Sequence, residues 1–222
     1  MSRILVKVGG AAAQSASEAV FHHLANGYEV CVVHGAGPQI SAELERRGLP
    51  VRFVDGRRVT TSAALAAVRE SFAAVNAALC EAIGPGAAGL MGDEIGLPAE
   101  WLPELGLVGE PLPSAPQAVL DVLAEGGIPV IAPLAAGPLN VNADEMAAAL
   151  AVGLEADRLW FLTDVPGLLR GGAVVATIAA GEANDLLAAG EFEGGILPKL
   201  RAAVSAARLG VRTEIGATAV TA

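Results

Sequence analysis

The chain has 222 residues, 53% of them hydrophobic and 17% charged, with 24 acidic side chains against 14 basic ones for a formal net charge of −10. A chain of this size buries roughly 70% of its extended surface on folding, enough for one large domain or two lobes sharing a sheet. The acidic balance, with no basic stripe, excludes nucleic acid and anionic membrane as expected partners, and any anionic ligand must be held locally against an unfavourable global field.

The first apolar run, Ile4–Val8, begins almost at the first residue, so no signal or transit peptide is expected. Strand-like runs follow at Glu29–His34, Ala87–Met91, Ile128–Ala132, Arg158–Thr163, Val174–Ile178 and Val211–Ile215. Helical periodicity lies between them, at Ser15–Asn26, Pro38–Arg47, Ser62–Ile83, Ser114–Glu125, Ala143–Leu154, Ala183–Ala189 and Pro198–Leu209. Ser15 or Ser17, Ser62 and Ser114 suit helix N-caps, and Gly27, Gly48, Gly84, Gly126 and Gly210 suit helix ends. Gly92–Pro113 carries four prolines and reads as a loop or short hairpin. Strands alternating with helical crossovers predict an α/β fold, a mainly parallel central sheet covered on both faces. No apolar run reaches the ~18 residues of a membrane span. Cys31 and Cys80 lack metal-ligand spacing and read as buried thiols in a reducing, cytoplasmic setting.

Twelve of the fourteen basic residues are arginine, and the two lysines, Lys7 and Lys199, each stand beside a pair of glycines. A compact ammonium beside bare backbone suits a phosphate, where a planar guanidinium fits less well. Lys7-Val8-Gly9-Gly10 and His34-Gly35-Ala36-Gly37 both fall at strand ends, where open parallel sheets bind ligands. Neither matches a dinucleotide-binding or P-loop pattern, and each alone could be only a tight turn. In Asn140-Val141-Asn142-Ala143-Asp144 three polar side chains share one side of an extended segment. Capping of the next helix by Asn142 accounts for one of them. One arginine of Gly56-Arg57-Arg58 could grip a carboxylate, with Arg57 expected to be solvated. His34 reads as a satisfied strand-end histidine, His22 and His23 as surface residues, and Trp160 as core. The turn after Leu162-Thr163-Asp164-Val165-Pro166-Gly167-Leu168-Leu169 could contact purine or ribose.

Taken in order, VKVGG, VHGAGPQI, GRRVTT, LGLVG, NVNADEMAAALA, LTDVPGLL and GGILPKL resemble the amino acid kinase superfamily, and most closely its acetylglutamate kinases. The resemblance covers nearly the whole chain and implies a three-layer αβα sandwich. It implies that residues 1–155 bind the acyl amino acid and dimerise, and that residues 156–222 bind ATP, on one continuous sheet. The implied reaction is ATP-dependent phosphorylation of the side-chain carboxylate of N-acetyl-L-glutamate, in arginine biosynthesis. Lys7 and Lys199 would stabilise the transferring phosphoryl group, with Asp144 holding both. Ala36, Gly37, Arg58, Asn140 and Asn142 would bind the acceptor. Gly9, Gly10, Asp164, Gly167, Leu169, Gly194 and Gly195 would bind ATP, whose phosphates would carry Mg²⁺ without a protein metal ligand. A carboxylate acceptor is already ionised at neutral pH, so positioning and electrostatics suffice without a general base. Other acceptors (carrier-linked aminoadipate, glutamate, carbamate) and a non-catalytic sensor of amino acid or nucleotide stand as alternatives.

Three features depart from the family pattern. Ala36 replaces the middle glycine of a triplet, adding a methyl beside the acceptor and giving up positive-φ freedom. Only six residues precede Lys7, which leads us to expect an arginine-insensitive homodimer. After Ile215 only Gly216–Ala222 remains for a last strand, so a trimmed ATP lobe is expected.

Overall fold

The computed structural model describes residues 2–9, 13–163 and 165–222; Gly10 and Asp164, both expected at the nucleotide, lie outside the described residues. In chain order the first elements are β1 (Arg3–Val8), α1 (Ala13–Ala25), β2 (Glu29–His34), α2 (Gly37–Arg46), β3 (Phe53–Val54), β4 (Arg57–Arg58), α3 (Ser62–Ile83) and β5 (Ala87–Met91). Then come β6 (Ala99–Trp101), β7 (Val108–Pro111), α4 (Gln117–Ala124), β8 (Ile128–Ala132), β9 (Leu134–Ala135), β10 (Leu139–Val141) and α5 (Ala143–Gly153). The last part holds β11 (Arg158–Leu162), β12 (Leu169–Arg170), β13 (Ala173–Val174), β14 (Thr177–Ala179), α6 (Ala180–Ala188), α7 (Ile196–Arg208), β15 (Arg212–Ile215) and β16 (Thr218–Thr221).

Eight strands form one sheet in the order β14-β16-β15-β11-β1-β2-β8-β5. All neighbouring pairs are parallel except β15 with β16. Side chains alternate across it with period two, as the pleat requires. Ile4, Val6 and Val8 of β1 and Val30 and Val32 of β2 join Ile40 of α2 and Val68, Phe72 and Leu79 of α3 in one apolar cluster. Leu5, Cys31, Val33, Leu159 and Phe161 face the other way, onto Leu150 of α5, Ala183 of α6 and Leu200 of α7. The result is a helix–sheet–helix sandwich of the expected class. α3 is the one helix among the described residues long and apolar enough to cross a membrane; its buried positions, Val68, Phe72, Val75, Leu79 and Ile83 among them, are spent on this core.

Several local expectations need correction. Gly92–Pro113 is not a free loop: β6 and β7 pair antiparallel and belong to a second sheet, β6-β7-β10-β9. That sheet relies on partners distant in sequence, which local prolines conceal. The single strand expected at Val174–Ile178 is two with different partners: Val174 ends β13, which pairs back on β12 across Gly171 and Gly172 at φ 58° and 82°, and β14 begins at Thr177 and pairs with β16. Thr61, not Ser62, caps α3 by accepting from the Ala64 N–H. Ser114 does not cap α4, which starts only after the extended Pro116. His23 is buried against Tyr28 and Trp160 rather than on the surface, and Cys80 is half-buried.

Close approach explains the glycine that ends α5. A Cβ on Gly153 would meet the Ser114 backbone nitrogen and oxygen at 2.2 Å, and backbone cannot yield as a flexible side chain can. On the opposite face, His34 points at α3. Its Nε2 accepts from Asn76 Nδ2 at 3.1 Å, which leaves the proton on Nδ1, 3.3 Å from the Gly35 carbonyl. Asn76 also donates to the Val130 carbonyl at 2.8 Å. Burial pushes the His34 imidazole down to about 4, the Gly35 hydrogen bond opposes that weakly, and nearby Lys7 reinforces it.

Two outcomes are expected. Gly153→Ala lowers the unfolding free energy in urea by about 1–3 kcal/mol, whereas Gly181→Ala, where an added Cβ meets nothing within 4 Å, is neutral or slightly stabilising. Because the folded-state pKa of His34 is depressed from 6.5 to about 4, its stabilising contribution is complete above pH 6.5 and is lost as pH falls towards 4. The unfolded chain binds a proton that the folded chain refuses, so between pH 7 and 4.5 wild type loses on the order of 2–3 kcal/mol more than a His34→Gln variant. Equal losses in paired urea titrations would refute it.

Candidate active site

Parallel strands finish together, so their C-terminal loops open onto one crevice. β1 sits between β2 and β11 in the sheet order, where chain connections leave in opposite directions, the usual place for a ligand. Register sets Lys7 beside Val33 and Phe161 at this edge. By alternation Lys7 shares the face of Leu5, the one α5 and α7 cover, whereas His34 faces α3. That single parity separates the two residues although they lie at neighbouring strand ends.

α5 and α7 pack together through alanines such as Ala147, Ala151, Ala203 and Ala207, small enough to let two helices approach. Their N-terminal turns therefore converge. Asp144, in the first turn of α5, places Oδ1 2.8 Å from Lys7 Nζ and Oδ2 3.6 Å from Lys199 Nζ. Lys199 Nζ also donates to the Gly195 carbonyl at 3.3 Å. The Lys7 and Asp144 side chains are each 7% exposed. Losing one partner of such a buried pair costs about 3–5 kcal/mol, because it strands the other charge. Two cations around one anion leave the cluster one positive charge in excess.

A cleft of about 650 Å³ opens above this cluster. Of the expected acceptor residues, Ala36, Gly37, Arg58, Asn140 and Asn142 all line it. Gly9 and Gly195 line it as well, whereas Gly167, Leu169 and Gly194 do not. Gly167 is closed against Thr218, whose hydroxyl accepts from the Leu168 N–H at 2.8 Å; Leu169 and Gly194 are exposed.

Helix ends add polarity to the cleft. The N-cap residues of α2 and α7, Ala36 and Gly195, bring no side-chain cap among the described residues, so the first N–H groups of these helices and their partial positive charge face outward. α5 is different. Asn142 Oδ1 accepts from the Asp144 and Glu145 N–H groups at 2.8 and 3.2 Å, and its Nδ2 donates to the Gly56 carbonyl at 3.0 Å. Asn142 is thus spent on capping and on tying down the β3–β4 turn. Asn140 is buried and donates to Thr60 Oγ1 at 3.0 Å.

Arg58 enters from the β3–β4 hairpin. Its side chain is buried, its guanidinium lies 4.5 Å from the Phe53 ring centroid, and Nη2 donates to the Gly37 carbonyl at 3.0 Å and Ser41 Oγ at 2.9 Å. Nη1 is buried without a protein partner among the described residues. A donor left in this state is aimed at something the protein does not supply. Burial alone lowers the pKa of this guanidinium, and no carboxylate offsets it.

Arg57 departs from expectation. Instead of being solvated, its Nε reaches both Glu145 carboxylate oxygens at 3.0 Å and its Nη2 reaches Glu110 at 2.9 Å. The sequence reading missed Phe53, Thr60, Glu145 and Pro198 at the cleft or its supports. Only the paired arginines Arg57-Arg58 carried a local signal, since two adjacent residues on a strand must face opposite ways. Ala36 is less disruptive than expected. Its φ is −145°, open to any residue, and its methyl is buried beside Ile40 in the α2–α3 cluster.

The sequence model of the amino acid kinase family matches residues 2–216. Acetylglutamate kinase from Rubrobacter xylanophilus is 43% identical over 97% of this chain and 88% of its own length. The acetylglutamate kinase of Geobacillus stearothermophilus is 37% identical over 91% and 84%. Among solved structures, smu.665 from Streptococcus mutans superposes with a TM-score of 0.89 at 28% identity, over 99% of this chain and 98% of that one. Carbamate kinase from Giardia lamblia, at 16% identity and a TM-score of 0.72 over 99% and 98%, shares the fold. With its parallel sheet, its lysine–aspartate–lysine cluster and these relatives, the chain belongs to the amino acid kinase family.

Proposed function

We propose that the protein is an acetylglutamate kinase of arginine biosynthesis, transferring the γ-phosphoryl group of ATP to the side-chain carboxylate of N-acetyl-L-glutamate and releasing ADP and an acyl phosphate. The observation that carries this reading is Asp144 binding Lys7 and Lys199 at once, in the same cleft as a buried arginine with an unused donor. Relatives named for this activity, 37–43% identical over most of the chain, support it.

The two substrates are both anions, and the difficulty is bringing them together. Lys7 and Lys199 offset charge on the phosphoryl oxygens as it spreads in transfer, held ready by Asp144 so that no reorganisation is needed. The acceptor carboxylate attacks phosphorus, the bond to the leaving phosphate oxygen breaks, and no proton need move. Arg58 Nη1 takes the acceptor's remaining carboxylate, and the N–H groups at Ala36 and Gly37 help orient it. Gly9 and Gly195 let the ATP phosphates approach backbone. Leu169 and Gly194, exposed outside the cleft wall, would face the nucleoside half, and Gly167, packed against Thr218, would shape the turn behind it. Residues 1–155 then serve the acceptor and 156–222 the nucleotide, in a homodimer.

Mg²⁺ would be carried by the nucleotide phosphates and would lower their negative charge. The donor set fits that arrangement: the cleft carboxylate, Asp144, is occupied by two ammoniums. For the acceptor, Ala36 does not argue against acetylglutamate: its φ of −145° needs no glycine, and the residue is 1% exposed.

Trapping the acyl phosphate with hydroxylamine tests the reading across acetylglutamate, glutamate, aspartate and aminoadipate. Hydroxamate from acetylglutamate at the highest kcat/KM is expected; preference for another acceptor would replace this substrate. Lys199→Met should lower kcat by about 10²-fold or more with the fold intact. Arg58→Ala should raise KM for the acceptor by roughly 10- to 100-fold, the worth of a hydrogen bond to a charged group, with KM for ATP nearly unchanged. The reverse pattern would exchange the two halves of the cleft.

A further inference from the structure

The hairpin that carries Arg58 is only two residues per strand, too small to hold its own position. Something else must fix it. Arg57, its neighbour on the same strand, points away from Arg58 into a carboxylate pair. Its Nε lies 3.0 Å from both oxygens of Glu145 and its Nη2 2.9 Å from Glu110. Glu145 is the residue after Asp144, in the first turn of α5. The turn of the hairpin is tied to the same helix end by Asn142, through the Gly56 carbonyl, and it packs on Pro198, since a Cβ at Gly56 would lie 3.4 Å from the Pro198 ring.

Resting on the acceptor assignment above, we propose that Arg57, Glu145 and Glu110 form an ion-pair clamp that positions Arg58 for the acceptor's carboxylate. Arg57 and Glu145 are positioning residues in this scheme and do not bind the acceptor themselves. The clamp also disposes of a charge: without Arg57, the half-buried Glu145 carboxylate would lose its cation in the same helical turn as Asp144. An ion pair of half-exposed side chains contributes little to the stability of a whole domain. A six-residue hairpin has so little free energy of its own that the same interaction decides where it sits.

An opposing scheme makes Arg57 a second ligand of the acceptor that Glu145 merely competes for. The two schemes differ in sign. If Glu145 supports Arg58 through Arg57, Glu145→Gln weakens acceptor binding; if Glu145 sequesters Arg57 from the acceptor, the same change strengthens it.

The experiment measures steady-state KM for acetylglutamate and for ATP, and calorimetric binding of acetylglutamate, on full-length wild type and Arg57→Met, Glu145→Gln, Glu145→Met and Arg57→Met/Glu145→Met variants. Each single change is expected to raise the acceptor KM and Kd by about tenfold, as for residues coupled in one network, with kcat and KM for ATP within about threefold. The double variant should be no worse than the poorer single one, because the pair acts as a unit. Should Glu145→Met not fold, the isosteric Glu145→Gln reads the same effect. Tighter acceptor binding in Glu145→Gln overturns the clamp in favour of direct contact. A lowered melting temperature with unchanged acceptor KM reduces it to scaffolding, and a fall in kcat alone assigns Glu145 to Asp144 instead. Wild type yielding no hydroxamate from acetylglutamate overturns the functional reading together with the clamp, whereas active wild type with unaltered variants overturns the clamp alone.

Discussion

One buried carboxylate, Asp144, governs the architecture of the cleft. Lys7 reaches it from the central strand and Lys199 from a helix 192 positions later in the chain. Placing two ammoniums near each other inside a protein is unfavourable unless an anion lies between them. Much of the sandwich serves that arrangement. The pleat sends Lys7 to the α5 face, the alanines of α5 and α7 let their N-terminal turns meet, and Asn142 fixes where α5 begins. If α5 started one residue later, Asp144 would rotate by about 100° around the helix and leave both lysines unpaired.

The same α5 turn also organises the hairpin that carries Arg58, the side of the cleft proposed for the acceptor. Asn142 caps the helix with its carbonyl and holds the Gly56 carbonyl with its amide, while Glu145 holds Arg57. Three polar positions within four residues, 142, 144 and 145, thus contact the hairpin, the two lysines and the hairpin again. The lysine pair and the Arg58 hairpin are thus both held by one helical turn, so a displacement of either is felt by the other.

Much of this was legible in the sequence, for reasons that can be named. β2, β8 and α3 have the bounds their periodicity predicts, because buried strands and a long half-buried helix write their environment directly into the pattern; the edge strand β5 is matched as well. Lys7, Asp144 and Lys199 were visible because glycines surround the lysines and an Asn-x-Asn-x-Asp run precedes a helix. What stayed hidden depends on distant partners. The second sheet pairs β7 with β10, and nothing in the proline-rich stretch around β7 announces that partner. Arg57 looks like any surface arginine until Glu110 and Glu145 are folded against it. His23 was assigned to the surface because α1 is polar around it, yet Trp160 from β11 covers it. For Ala36, a departure from a glycine pattern implied trouble that a φ of −145° does not create.

The distribution of charge has a further consequence. The molecule as a whole repels anions, with ten more acidic than basic groups, while the cations that would receive them sit recessed in the cleft. At physiological ionic strength fields fade over about 8 Å, so dissolved salt hides the acidic exterior far more than it hides the sunken lysines and Arg58. Salt, usually an obstacle to capturing a charged metabolite, would here lower the barrier to approach and leave the final grip largely untouched.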